Sequence, residues 1–409
     1  ACSPFLSISQ GLEILTYYTP RSKKALYAIL EEPFGTLANY YSAISLLPKK
    51  VLLVVVRHMP LPMRFELWYR INVQSPENAR AVLNNEPELA KEISNSSVLW
   101  NVLWRMCIEP DARFTLNRQG KYRGLRVPGM WDVVVKDILI HQIKTKSSKS
   151  RPVVIPLVTD QGSIVKILIK TESVVTDAIV MDNLKLLQWI FLKEGFHAPI
   201  QTYKVVPIGE RGIVEIVENA VTLRDIQTRE QTVQNFIIQY NPNETSANLR
   251  KRFVGSLSAS TIASMVLGIN DRHAGNLLVT TDGILFHIDF EYLMSKKPRN
   301  LKTVCSGSSF FVTDTIVDCI GGRKSRDFER FKDLAQELFQ AARRHVQPIM
   351  VNMMALREFS RCDIEKHIKN TFLVGVSKEE AALSIIREKI KRSSSSGGVV
   401  ESKWTGIWG

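Results

Sequence analysis

Between Gly268 and Glu291 the chain reads Gly-Ile-Asn-Asp-Arg-His-Ala-Gly-Asn-Leu-Leu-Val, a short turn, then Phe-His-Ile-Asp-Phe-Glu. Asp271, His273, Asn276 and Asp289 bring two carboxylates, an imidazole and an amide oxygen into one stretch, with the cation of Arg272 among them. The apolar runs Leu277–Val279 and Ile284–Phe286 flank Thr280-Thr281-Asp282-Gly283. Asp-Gly between apolar runs predicts a hairpin, because a tight turn needs residues that tolerate positive φ. Such a hairpin sets Asp271, Arg272, His273 and Asn276 at one mouth and Asp289 at the exit of its second strand. These groups suit holding Mg²⁺ on a nucleotide while assisting proton loss from an attacking hydroxyl. Read singly, each is a solvated charge at a hairpin end; the combination points to chemistry.

The string Asp271-Arg272-His273-x-x-Asn276, followed thirteen residues later by Asp289-Phe290, resembles the catalytic and metal-binding loops of the phosphatidylinositol 3-/4-kinase superfamily. Those loops carry Asp-Arg-His-x-x-Asn and then His-Ile-Asp-Phe-Gly. Protein kinases write the first string in the opposite order, His-Arg-Asp. The resemblance implies Asn276 and Asp289 as metal ligands and Asp271, Arg272 and His273 as catalytic residues. Either His273 or Asp271 then accepts or orients the hydroxyl proton. Glu291 stands where the family has Gly, a position less free to adopt positive φ.

These loops need other elements to hold them. From about Gly120 the texture turns to β, with strands predicted at 127–135 and 138–143. The basic stretch Lys144–Arg151 reads by itself as a solvated loop. Its Ser147-Ser148-Lys149-Ser150-Arg151-Pro152 resembles the family's phosphate-covering loop, which implies Ser147, Ser148 and Lys149 as nucleotide contacts. Two strands, 153–158 and 163–169, follow around the turn Thr159–Gly162, and the second ends on Lys170. Its place after the loop makes Lys170 the cation for the phosphates, with Asp177, on a helix predicted over 176–192, as its carboxylate partner. The family's acidic pair is missing from Lys170-Thr-Glu-Ser-Val-Val-Thr-Asp177, which is one residue shorter. Tyr203 and the strand ending Glu215-Ile216-Val217 resemble the hinge. There the Glu215 carbonyl and the Val217 N–H bind the adenine edge and Tyr203 lines the pocket. Helices are predicted over 231–240 and 246–266, the second with a Ser/Ala face.

Lys296, Lys297, Arg299 and Lys302 form a basic cluster where the superfamily reads its lipid headgroup. Pro298-Arg299-Asn300-Leu301 and Gly321-Gly322 look most like type III phosphatidylinositol 4-kinases. The denser basic box of kinases using bisphosphorylated headgroups is absent, which favours a headgroup with few or no extra phosphates. Residues 326–358 and 376–391 read as helices, with the basic run Arg343-Arg344-His345 inside Asp327–Gln347 and the last helix started by a Ser377/Glu380 capping box. Ser393–Gly398 reads as a linker. Trp404 and Trp408 could meet a membrane interface or dock on the kinase lobe.

Before this region, residues 1–110 read as helical, with a helix from Pro76 to about Glu92 and another over Ser97–Met106 placing Trp100 and Trp104 on one face. The 409 residues carry 54 Lys+Arg against 40 Asp+Glu, a formal charge of +14, which favours anionic partners. Five scattered cysteines without Cys-x-x-Cys spacing argue for a reducing compartment. The fold expected is an α+β, two-lobed kinase domain behind a helical N-terminal region. Its parts are residues 1–119, an N-lobe at 120–221, a C-lobe at 222–392 and a tail at 393–409. The function implied is an ATP- and Mg²⁺-dependent (Mn²⁺ being an alternative) phosphatidylinositol kinase, acting at the 4-position. It is expected to be cytoplasmic and peripheral to intracellular membranes, with no nucleic-acid partner and room for a regulatory protein on the N-terminal region. A phosphatidylinositol 3-kinase, a related protein kinase and a catalytically impaired scaffold are the rival readings.

Overall fold

Prolines and their neighbours set the first helices. The computed structural model describes residues 34–147, 150–269, 273–290, 293–294, 314–359 and 363–373. Helices run over Lys49–His58, Leu61–Gln74, Pro76–Asn85 and Pro87–Ile108. Ser75 caps the third by accepting the Asn78 N–H, with Pro76 at its first turn. The single helix expected to reach Glu92 is corrected to two. Pro87 restricts its predecessor, so Glu86 leaves the helical region at φ −129°, ψ 80°, and a new helix starts. The Ser97–Met106 segment lies inside that second helix. Its Trp100 and Trp104 stack at 6.0 Å, and the Arg211 guanidinium sits 3.8 Å over Trp104.

A six-stranded antiparallel sheet follows: β1 Val135–Ile138, β2 Lys144–Thr145, β3 Val153–Thr159, β4 Ile164–Lys170, β5 Val205–Ile208 and β6 Arg211–Glu215. Its order is β1-β3-β4-β6-β5, with β2 also on β3. The strands expected at 127–135 and 138–143 are corrected to the shorter β1 and β2. Residues 127–133 turn through Pro128-Gly129, where Gly129 has φ +64° and a Cβ would lie 2.6 Å from Val206 Cγ1. The break between β1 and β2 falls opposite Pro156, which has no N–H to give an edge partner. The β3–β4 hairpin keeps a regular register, Val153↔Ile169 to Val158↔Ile164.

Gly212 pairs with Lys170 across β4 and β6. A Cβ there would meet Val174 Cγ2 at 2.0 Å and the Val206 carbonyl oxygen at 2.8 Å. Overpacking of this kind costs about 1–3 kcal/mol. Gly212→Ala is therefore expected to lower the urea midpoint at an unchanged m-value; an unaltered midpoint would show that Val174 yields freely.

A second sheet is ordered β7-β8-β9, with β7 Ala220–Thr222, β8 Leu277–Thr280 and β9 Leu285–His287. The expected hairpin is present, paired Leu277↔His287 to Val279↔Leu285. Behind it lies the helix Ser246–Leu267, started by Thr245 and stopped by Gly268 at φ +65°. Its small-residue face allows close packing and also hydrogen-bonds the edge strand. Ser256 Oγ accepts the Leu285 N–H at 3.0 Å and Ser260 Oγ donates to the Leu285 carbonyl at 2.9 Å. The outward-facing backbone groups of Leu285 are thus satisfied without another strand.

The helical reading of 326–358 is present as Arg326–Arg344, Val346–Met353 and a 3-10 turn at Met354–Leu356, with the expected Asp327–Gln347 stretch corrected to two helices. Pro348 cannot donate to the Arg344 carbonyl, so the chain breaks at His345 instead of continuing. The described residues form two compact units: those up to Asp182 with Tyr203–Ile216, and Asn183–Thr202 with those from Val217 onward. Among the described residues no helix is long and apolar enough to cross a membrane.

Candidate active site

In the first unit the loop expected to cover phosphates is an arch closed by the sheet. Lys144 and Thr145 pair with Val154 and Val153, and the Lys146 N–H donates to the Pro152 carbonyl at 2.9 Å. Ser147, Ser150 and Arg151 lie between these two closures. Arg151 takes φ +46° directly before Pro152, a conformation an L side chain adopts only under local constraint. Thr171 Oγ1 donates to the Ser150 carbonyl at 3.0 Å. Because Thr171 follows Lys170, this bond holds the arch's return beside the end of β4. Ser147 is exposed and Lys170 half-buried, while Asp177 is buried in the first turn of the helix Val175–Lys193.

The strand end at Glu215 departs from a regular ladder. The Glu215 N–H donates to the Lys204 carbonyl at 2.8 Å, so an unbroken ladder would return the Lys204 N–H to the Glu215 carbonyl. That N–H goes to Glu215's own carboxylate instead, at 2.8 Å. Among the described residues no backbone donor takes the Glu215 carbonyl. Tyr203 is buried and Val217 half-buried.

In the second unit the β8–β9 ladder runs one pair beyond its strands, because the Ile288 N–H donates to the Asn276 carbonyl at 3.0 Å. Asn276 and the neighbour of Asp289 are therefore opposite one another at one end of the hairpin. Asp289 itself adopts φ +64°, at a cost of about 1 kcal/mol for an L residue that tolerates it. This turn leaves its side chain exposed while Phe290 is fully buried. The preceding loop is tied inward. The Asn276 N–H donates to the His273 carbonyl at 2.9 Å and the Gly275 N–H to His273 Nδ1 at 3.1 Å. Since Nδ1 accepts, the neutral imidazole carries its proton on Nε2.

Gly275 makes this closure possible. A Cβ there would come within 3.0 Å of His273 Cε1 and 3.2 Å of Arg224 Cζ. The Arg224 N–H also donates to the Ala274 carbonyl at 3.1 Å. Arg224 escaped the sequence reading because it lies fifty residues upstream in a helix start; Gly275 between the His and the Asn was the available signal. An amide oxygen and an exposed carboxylate at one hairpin end are of the hard oxygen-donor type Mg²⁺ prefers.

Of the expected site residues, Ser147, Lys170, Asp177, Tyr203 and Glu215 lie in the first unit. Val217, His273, Asn276 and Asp289 lie in the second. Ser148, Lys149, Asp271, Arg272, Lys296, Lys297, Arg299 and Lys302 fall outside the described residues, as do Glu291, the Ser377/Glu380 box, the 393–398 linker and the terminal tryptophans.

Comparison with known proteins bears on residues 164–362, which match the family model described as phosphatidylinositol 3- and 4-kinase. The chain is similar to a probable phosphatidylinositol 3-kinase VPS34 homolog of Encephalitozoon cuniculi, at 30% identity over 174 residues, 42% of this chain and 38% of the relative. It is similar to phosphatidylinositol 4-kinase beta of Xenopus laevis at 29% over 213 residues, 49% of this chain and 26% of that one. Phosphatidylinositol 3-kinase VPS34 of Candida glabrata is 24% identical over 278 residues, 64% of this chain and 30% of that one. The chain thus matches between about a quarter and two fifths of the length of these curated relatives.

Proposed function

We propose, from the match of residues 164–362 to the phosphatidylinositol 3- and 4-kinase family model, that the chain transfers the γ-phosphoryl group of ATP to the inositol ring of phosphatidylinositol, at the 4-hydroxyl. The observation that carries the kinase reading is the mouth of the β8–β9 hairpin. Asn276 and Asp289 offer oxygen ligands there and His273 is tethered beside them. With bound Mg²⁺ the site would gain charge neutralisation on the transferred phosphate, and these two residues would hold the ion.

The remaining chemistry is positioning and hydrogen bonding by the chain. His273 presents an Nε2–H, so it acts as a donor to a phosphate or hydroxyl oxygen, and the proton of the attacking hydroxyl goes toward Asp271. The two alternatives open in the sequence therefore separate into distinct roles. Lys170 neutralises phosphate charge under the 147–151 arch. The Glu215 carbonyl and the Val217 N–H take the adenine edge, and the unclaimed carbonyl at Glu215 supports that assignment. Lys296, Lys297, Arg299 and Lys302 bind the headgroup phosphate. We keep 120–221 and 222–392 as the two lobes of this enzyme and a membrane surface as the place where it meets lipid.

The 4-position rests on Pro298–Leu301 and on Gly321-Gly322. Both glycines adopt positive φ, 83° and 84°, after the helix Asp314–Cys319. Relatives named as 3-kinases and as 4-kinases both match, so the 3-hydroxyl is the second reading. The test is a headgroup-resolved product assay after incubation with Mg–ATP and phosphatidylinositol vesicles. Phosphatidylinositol 4-phosphate is expected, and the 3-phosphate as sole product would replace this reading by the second.

A further inference from the structure

The helix Leu61–Gln74 places two charged residues one turn apart, Glu66 and Arg70, and each grips an element that faces the nucleotide in the proposed function. Arg70 donates to Asp182 through a forked pair, Nε to Oδ2 at 2.9 Å and Nη2 to Oδ1 at 3.2 Å. Ser42 Oγ donates to the same carboxylate at 2.7 Å. Arg70 is 9% exposed, Ser42 1% and Asp182 0%, so these bonds are made without water. Glu66 pairs with Lys204, which directly precedes β5 and whose N–H meets the Glu215 carboxylate.

Asp182 and Asp177 share the helix Val175–Lys193. Five residues along an α-helix turn about 140° around its axis, so a grip on one face fixes where the other face points. A buried carboxylate held by a planar guanidinium and a hydroxyl permits little rotation, because any slippage leaves a charge unpaired away from water. A hydrophobic contact at the same place would tolerate sliding by ridge and groove.

We infer that Arg70, with Ser42, is a positioning residue for the phosphate site: the helical N-terminal region sets the rotation of the helix that presents Asp177 to Lys170. That role rests on Lys170 and Asp177 serving the nucleotide's phosphates. It makes residues 41–74 part of the nucleotide apparatus, so a partner that pulls on them would change ATP affinity without touching the site.

The experiment compares the full wild-type chain with the double variant Arg70→Met/Asp182→Leu, using Mg–ATP and phosphatidylinositol vesicles. Apolar replacement of both members of a buried pair is commonly tolerated by the fold. The double variant is expected to keep its thermal midpoint within a few degrees while KM for ATP rises about tenfold and KM for the lipid stays unchanged. A folded double variant with wild-type KM for ATP would overturn the positioning role, and so would an equal rise in both KM values. If the double variant does not fold, Ser42→Ala reads the same point, with about a threefold rise in KM for ATP expected and no rise contradicting it. Wild-type chain that fails to bind Mg–ATP would overturn the function itself, a result distinct from either of these.

Discussion

Asp289→Asn is expected to lower turnover in phosphoryl transfer by about 10³-fold, while the thermal midpoint in the absence of nucleotide is retained or rises slightly. The amide is nearly the same shape as the carboxylate and equally able to adopt φ +64°, so the hairpin end does not change. What is lost is the one negative charge that Asn276 cannot replace. Metal affinity falls with it, because a hard divalent cation binds an amide oxygen more weakly than a carboxylate. Titration of Mg²⁺ against ATP-dependent phosphorylation checks this. A purified, folded Asp289→Asn protein with wild-type rates would remove Asp289 from the metal site.

Lys170→Met is expected to cut turnover by about 100-fold and raise the ATP requirement, since the phosphates lose the cation at the end of β4. The fold should survive, because Lys170 is half-buried and its methylene stem is matched by methionine. Asp177→Ala should act in the same direction more weakly. Asp177 is 7% exposed in the first turn of its helix, whereas Glu172 is exposed in the turn between strand and helix. A buried carboxylate holds a cation better than a solvated one, so Glu172→Ala should do little. Steady-state ATP kinetics on the three variants decide the matter. Damage from Glu172→Ala with a silent Asp177→Ala would reassign the partner of Lys170.

The hairpin and the Ser/Ala helix behind it were legible because each is written in consecutive residues: Asp-Gly between apolar runs, and small residues along one helix. So was the β3–β4 hairpin, with Gly162 in its turn. Boundaries failed where a single proline decided them. Pro87, Pro156 and Pro348 each removed a backbone donor, and the elements broke beside them. The dependence of β6 on Gly212 was invisible, since Val174 reaches it only through the fold. The same holds for Arg70 and Asp182, which are 112 residues apart in the chain. No local pattern announces such a pair. The unusual hydrogen bond at Glu215 belongs to this class too, because it depends on how Lys204 enters the sheet.

The candidate site residues were named from the family resemblance and its motif spacing, while the backbone geometry around them was not written there. His273 shows the difference. The sequence left open whether His273 or Asp271 accepts or orients the hydroxyl proton, and the Gly275 N–H on Nδ1, which supports a donor role for His273, is a backbone contact no string announces. Asp289 shows it as well, since the positive φ at this residue could not be read from the string.

The most direct measurement follows γ-labelled phosphate from ATP into products, with Mg²⁺, phosphatidylinositol vesicles and a protein substrate present together. Label appearing in the lipid in proportion to time and enzyme, and absent from protein, is the predicted result. Label in protein with none in lipid, or ATP bound with no transfer to either, would contradict a lipid kinase.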